Sequence, residues 1–113
     1  MSVEALWTNS MHAPGQFGAG VVVFETERVF GGDSSMYYTG TYRISSGELT
    51  GRVRVRKHHD IPGIVPFAGV DDAEFEIKAT MVSDKKMKYT ATVVKPTIGK
   101  PITGELVWLA ELP

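Results

Sequence analysis

The chain has 113 residues, of which 42% are hydrophobic and 22% charged, with a formal net charge of −1 and no cysteine. That length holds one domain, residues 1–113, with a real core, and the composition is that of a folded chain. The charge balance gives no global pull toward nucleic acid or anionic lipid, and the missing cysteines exclude disulfides, thiolate metal sites and cysteine nucleophiles.

The first residues, "MSVEALWTNS", lack a basic region followed by an apolar one, so no secretory signal is expected. No apolar run approaches the roughly 20 residues of a membrane helix, so a cytoplasmic protein with no membrane partner is expected. "EALWTN" reads as a first strand, and His12 falls in a loop after it. "GQFGAG", Gly15 to Gly20, lacks the G-x-G-x-x-G spacing. A β-branched run follows it instead of the helix that a phosphate site needs, so it reads as a loop entering a strand. "GAGVVVFE" is the second strand, "TE" a tight turn and "RVFGG" a short third strand.

Gly31-Gly32-Asp33 then reads as a corner. The glycines permit backbone angles that other residues resist, and the Asp33 carboxylate accepts hydrogen bonds from nearby amides. No second carboxylate joins Asp33 to hold a metal.

From here a period of two dominates. Met36, Tyr38, Gly40, Tyr42 and Ile44 share one face of "MYYTGTYRI". After a turn at "SSG", Leu49, Gly51, Val53 and Val55 lie opposite Thr50, Arg52, Arg54 and Arg56. The arginine stripe has no interleaved aromatics for base stacking. The next strand offers Asp72, Glu74 and Glu76 as cross-strand partners, so ion pairs are expected and nucleic acid is not an expected partner. His58 and His59 point to opposite faces of their strand, which disfavours a shared metal and leaves them solvated at a strand end. No metal site and no cofactor is expected.

"HHDIPGIVPFAGVDD", His58 to Asp72, reads as an irregular segment with one short helical turn, since Pro62 and Pro66 forbid a long helix. Alternation resumes with Phe75, Ile77, Ala79 and Met81. It continues, after "SDKK", with Met87, Tyr89, Ala91 and Val93. After "KPTIGKP", which lacks the upstream glycine and the Ser or Thr of a P-loop, Ile102, Gly104, Leu106, Trp108, Ala110 and Leu112 share one face.

The count is about eight antiparallel strands in hairpin order. Glycines on the inward faces at Gly40, Gly51 and Gly104 favour closure into a barrel over a two-sheet sandwich. Tyr38, Tyr42, Phe75, Met87, Tyr89 and Trp108 then point inward. Core filling is the plainer reading of them. A cavity for an apolar small molecule or lipid is the alternative. Val107 and Leu109 face outward on the last strand and are the dimer-interface candidates, with Val94 a lesser one. No G-x-S-x-G elbow or other nucleophile, base and acid set appears, so no enzymatic activity is expected.

The run "GAGVVVFETERVFGGDSSMYYTGTY", followed after a short turn by "LTGRVRVRKHHDIPGIVPF", resembles the GrlR-like family of small bacterial negative regulators of type III secretion. The shared features are the strand ending in Gly31-Gly32-Asp33, the aromatic strand with Gly40, the alternating strand ending in His58, and Ile61-Pro62. The resemblance implies an eight-stranded up-and-down, lipocalin-like barrel and a homodimer. It also implies action by protein–protein contact, restraining a transcriptional activator. The family's activator-binding loop corresponds to Ser45, Ser46, Gly47 and Glu48, where only Glu48 is acidic. A single carboxylate offers a basic partner little field, so the fold carries over better than the partner contact.

Overall fold

A computed structural model describes residues 3–12, 19–60, 72–95 and 101–113. The helical turn expected after Asp60, the start of the Gly15–Gly20 run and the interior of the Lys95–Pro101 turn lie outside the described residues.

Eight strands follow one another: β1 (Ala5–His12), β2 (Ala19–Glu25), β3 (Arg28–Gly32), β4 (Met36–Ser45), β5 (Glu48–Lys57), β6 (Asp72–Ser83), β7 (Lys86–Lys95) and β8 (Ile102–Ala110). Each pairs antiparallel with the next and β8 pairs with β1. The sheet is a closed, up-and-down, lipocalin-like barrel. Among the described residues there is no helix, and so none long and apolar enough to cross a membrane.

Alternation explains closure. The inward positions Trp7, Phe24, Val29, Tyr42, Leu49, Val53, Phe75, Met87 and Leu106 are buried, and all belong to one continuous core. The polar letters between them face water, and closing the sheet removes the free edges that an open sheet would expose. Gly104 shows why an inward glycine is needed. A Cβ there would stand 2.4 Å from Tyr89 Cζ, so the ring of the directly opposed Tyr89 occupies the space that a side chain would take.

The two ends of the barrel differ. At one end the connections are the two-residue turns Thr26–Glu27, Ser46–Gly47 and Asp84–Lys85. At the other they are residues 13–18, 33–35, 58–71 and 96–101. Thr26 (φ 51°) and Glu27 (φ 62°), and Ser46 (φ 53°) and Gly47 (φ 77°), are left-handed pairs. That is the type I′ geometry that matches the twist of the flanking strands.

The corner departs from expectation in one respect. Neither Gly31 nor Gly32 has a positive φ, and both are the last residues of β3. What requires Gly31 is proximity, because a Cβ there would fall 2.0 Å from the carbonyl oxygen of Val21 on β2. The turn itself is Asp33–Ser35.

Candidate functional site

The Asp33 carboxylate organises the corner. Its Oδ1 accepts the amides of Ser35 (2.8 Å) and Met36 (2.7 Å), as the sequence suggests, and its Oδ2 accepts the hydroxyl of Tyr38. On the far side, His58 Nε2 lies 2.9 Å from the Asp33 carbonyl oxygen, and the His58 amide donates to Ser35 O at 2.9 Å. The Ser35 hydroxyl donates to His59 O at 3.2 Å. His58 is therefore not merely solvated. Its exposed ring and backbone clasp the end of β5 to the corner, with Tyr37 6.3 Å away from ring to ring.

A second polar contact lies inside the barrel. Tyr89 donates to Asn9 Oδ1 at 2.7 Å, and Asn9 is the buried polar side chain among the described core residues. Burial pushes the Tyr89 phenol up to about 12, with the Asn9 hydrogen bond opposing the shift. Burial and then the Asp33 carboxylate push the Tyr38 phenol well above the usual tyrosine range. Both phenols stay neutral donors at any physiological pH.

Of the inward aromatics, Tyr38, Tyr42, Phe75 and Tyr89 are buried, as is Met87. Tyr42 meets Phe24 edge to face (centroids 5.2 Å, 90°), and Phe24 meets Trp7 (6.5 Å, 87°). These side chains pack on one another, which supports core filling. Trp108 does not join the enclosed set. It packs against the core but remains partly exposed near the tight-turn end, with Lys85 Nζ 5.1 Å from its ring centroid. Trp7, Phe24 and Asn9 were missing from the expected inward set. The same alternation could have found the aromatics (Ala5, Trp7, Asn9; Val22, Phe24), but a polar letter at Asn9 hides its place in an apolar row.

On the outer surface the arginine stripe is covered as expected, with an offset. Arg52 reaches Glu76 (2.7 Å) directly opposite and Glu74 (3.4 Å) diagonally. Arg54 makes two bonds to Asp72 (3.0 and 2.8 Å), one step along from its opposed Glu74. That hydrogen bond holds the Asp72 carboxyl below the usual carboxylate range. Such exposed pairs contribute about 0–1 kcal/mol each.

The other side of the barrel is apolar. Val107 (41% exposed) and Leu109 (48%) on β8 do face outward. They are joined by Val21 (44%) on β2 and Phe30 (41%) on β3. Leu6 pairs with Val23 and Val23 with Phe30, while Thr8 sits opposite both Val21 and Val107. One apolar stripe therefore crosses β8, β1, β2 and β3. Val94 is half-buried. The Ser45–Glu48 segment is a tight hairpin turn, exposed at Ser45, Ser46 and Gly47. His12 closes β1, opposite Thr103, and is not in a loop. Among the described residues no group of histidines and carboxylates is arranged to hold a metal.

No family model matches the chain, and no curated protein matches it.

Proposed function

We propose that the protein is a non-enzymatic regulator of the GrlR-like type, a cytoplasmic homodimer that acts by protein–protein contact and restrains a transcriptional activator. The observation that carries this reading is the exposed apolar stripe of Val107 and Leu109 on β8, Val21 on β2 and Phe30 on β3, bridged across β1 by Leu6 and Thr8. A closed barrel has no strand edge to offer a second chain, so association must use side chains on a sheet face. A self-complementary apolar patch is what a two-fold contact buries. The Ser45–Glu48 turn is carried by β4 and β5, outside the stripe, and stays open for the activator in such a dimer.

Light scattering coupled to size exclusion tests the dimer. The wild type is expected to run as a dimer, and Val107→Glu with Leu109→Glu as a folded monomer. A monomeric wild type, or a double variant that stays dimeric, removes the assignment. Affinity capture from the source cells tests the regulator, and recovery of no DNA-binding protein counts against it.

The alternative is a small-molecule or lipid binder using the barrel interior. Its support is the pair of inward phenols, Tyr38 and Tyr89, with Asn9 between strands. Their hydrogen bonds are already made within the protein, which is why the contact reading is preferred. A co-purifying ligand in a native mass spectrum would reverse that preference.

A further inference from the structure

Two residues that belong to no strand reach the tight-turn end of the barrel. Val3 and Glu4 precede β1, whose ladder begins with Ala5 opposite Phe24. Val3 is nevertheless 1% exposed and belongs to the same continuous core as Trp7, Phe24 and Tyr42. Two bonds hold the segment. The Trp7 indole Nε1 donates to the Val3 carbonyl oxygen at 2.9 Å, and this bond is buried. The Thr26 amide donates to Glu4 Oε1 at 2.7 Å, at the exposed rim.

Each bond answers a need of the barrel. A buried indole N–H requires an acceptor, and the Val3 carbonyl supplies it. Thr26 opens a two-residue turn, and the hydrogen bond that closes such a turn joins the flanking residues, Glu25 and Arg28, so the Thr26 amide is left for the carboxylate. Both fastenings run through a side chain, and neither is a rung of the β ladder. A segment fastened in this way opens at lower free energy than the strands it covers. Trp108, toward the same end, shows what an indole without such a cover looks like. Its ring carries Lys85 Nζ at 5.1 Å and stays partly exposed, whereas Trp7 is 1% exposed.

We propose that Val3 and Glu4 form a releasable plug, which swings away while the barrel stays closed, and that the recess it leaves takes a small aliphatic amide. The chemistry of the guest is read from the plug itself. The recess fits an aliphatic side chain, and the Trp7 indole N–H, once its acceptor has gone, requires a carbonyl oxygen. An aliphatic amide supplies both. The site is distinct from the polar corner around Asp33, which lies at the other end of the barrel. In place, the plug competes at the high effective concentration of a short tether, so a guest gains entry as the fastenings are weakened.

Hydrogen exchange of the full chain, followed by NMR, tests release. The Trp7 indole proton is expected to show a protection factor about tenfold or more below that of the β1 ladder amides. Glu4→Ala, an exposed substitution, should lower that factor about fivefold further and leave the ladder amides unchanged. Equal protection of the indole and the ladder amides means opening only by global unfolding, and it overturns the plug. An unchanged indole rate in Glu4→Ala does the same. The guest is tested with N-acetylvalinamide, and with N-acetylglycinamide as the control that lacks the aliphatic group. In Val3→Gly the recess is vacant, and N-acetylvalinamide should shift the Trp7 indole signal saturably, with an affinity about tenfold or more above that for the wild type. N-acetylglycinamide should give no saturable shift. Glu4→Ala, which leaves the core untouched, should show the same ranking with a smaller gain, so the test stands even where Val3→Gly fails to fold. No saturable shift in Glu4→Ala and in folded Val3→Gly, or equal shifts with both probes, overturns the docking role.

Discussion

The two ends of the barrel are held by different physics. Near the tight-turn end the interior is an aromatic and aliphatic stack, Trp7, Phe24, Tyr42, Leu49 and Met87, whose members need only bulk and the right face. At the other end, where β3 meets β4 and β5 runs out, the contacts are polar. One is local, Asp33 to Tyr38, and two reach across long stretches of sequence, His58 to Asp33 and Tyr89 to Asn9. Hydrophobic packing tolerates substitution of like for like, whereas a buried polar contact loses its partner outright when one side is removed. The open end should therefore be the more brittle, residue for residue, although its corner is the more exposed.

Asp33→Ala is the sharpest way to break this contrast. It strips the acceptor from two amides and from the Tyr38 hydroxyl at once. With about 1 kcal/mol for each of the three lost bonds, the expected loss is about 3 kcal/mol. That equals the loss expected for Leu49→Ala at the tight-turn end, about 2–5 kcal/mol, although Leu49 is 2% exposed and Asp33 is only half-buried. Urea unfolding of both variants makes the comparison, and a loss below about 1 kcal/mol for Asp33→Ala would show the corner to be ornamental.

Alkaline pH separates the ends without mutation. The Tyr38 and Tyr89 phenols are held above their ordinary values by burial. A raised pKa in the fold contributes stability that is fully present below about pH 10 and is lost as pH rises above it, where the unfolded phenols ionise and the folded ones do not. Each phenol then removes about 1.4 kcal/mol per pH unit, and for Tyr89 the loss ends near pH 12. Tyr38→Phe with Tyr89→Phe should flatten this limb of the stability curve, measured by urea unfolding at stepped pH. An unchanged slope would place the alkaline sensitivity elsewhere.

The same division decides what could be read from the letters. The strands β4 to β8 and their inward faces follow from a period of two, and the Thr26–Glu27 and Ser46–Gly47 turns from the residues between them. β6 runs past Met81 to Ser83 because a register shift between Met81 and Ser83 carries the chain on, and alternation cannot announce a bulge. The arginine stripe was matched to its acids, but the diagonal reach of Arg54 to Asp72 needed the three-dimensional sheet. The Tyr89–Asn9 bond spans 80 residues and the His58–Asp33 contact 25, and nothing local encodes either. Val107 and Leu109 could be placed outward from their own strand. The rest of the stripe, on β2 and β3, becomes contiguous with them only after β8 closes on β1.

The tight-turn end carries one cost of its own, and relieving it is the smallest of the expected effects. Both turn positions of the β2–β3 hairpin are left-handed without a glycine, and Thr26 is β-branched. Non-glycine residues in that region cost on the order of 1 kcal/mol each. The β4–β5 hairpin has the same backbone, with Gly47 already at its second position. Thr26→Asn with Glu27→Gly installs the pair that type I′ turns prefer, and it keeps the Thr26 amide that donates to Glu4 Oε1 at 2.7 Å. The expected gain is about 1–2 kcal/mol, read as a higher urea midpoint with an unchanged slope. Ser46→Asn in the second hairpin should gain less than about 0.5 kcal/mol, because only one strained position remains there. Equal gains in the two hairpins, or a loss in the first, would mean that side-chain contacts and not backbone angles set the stability of this end.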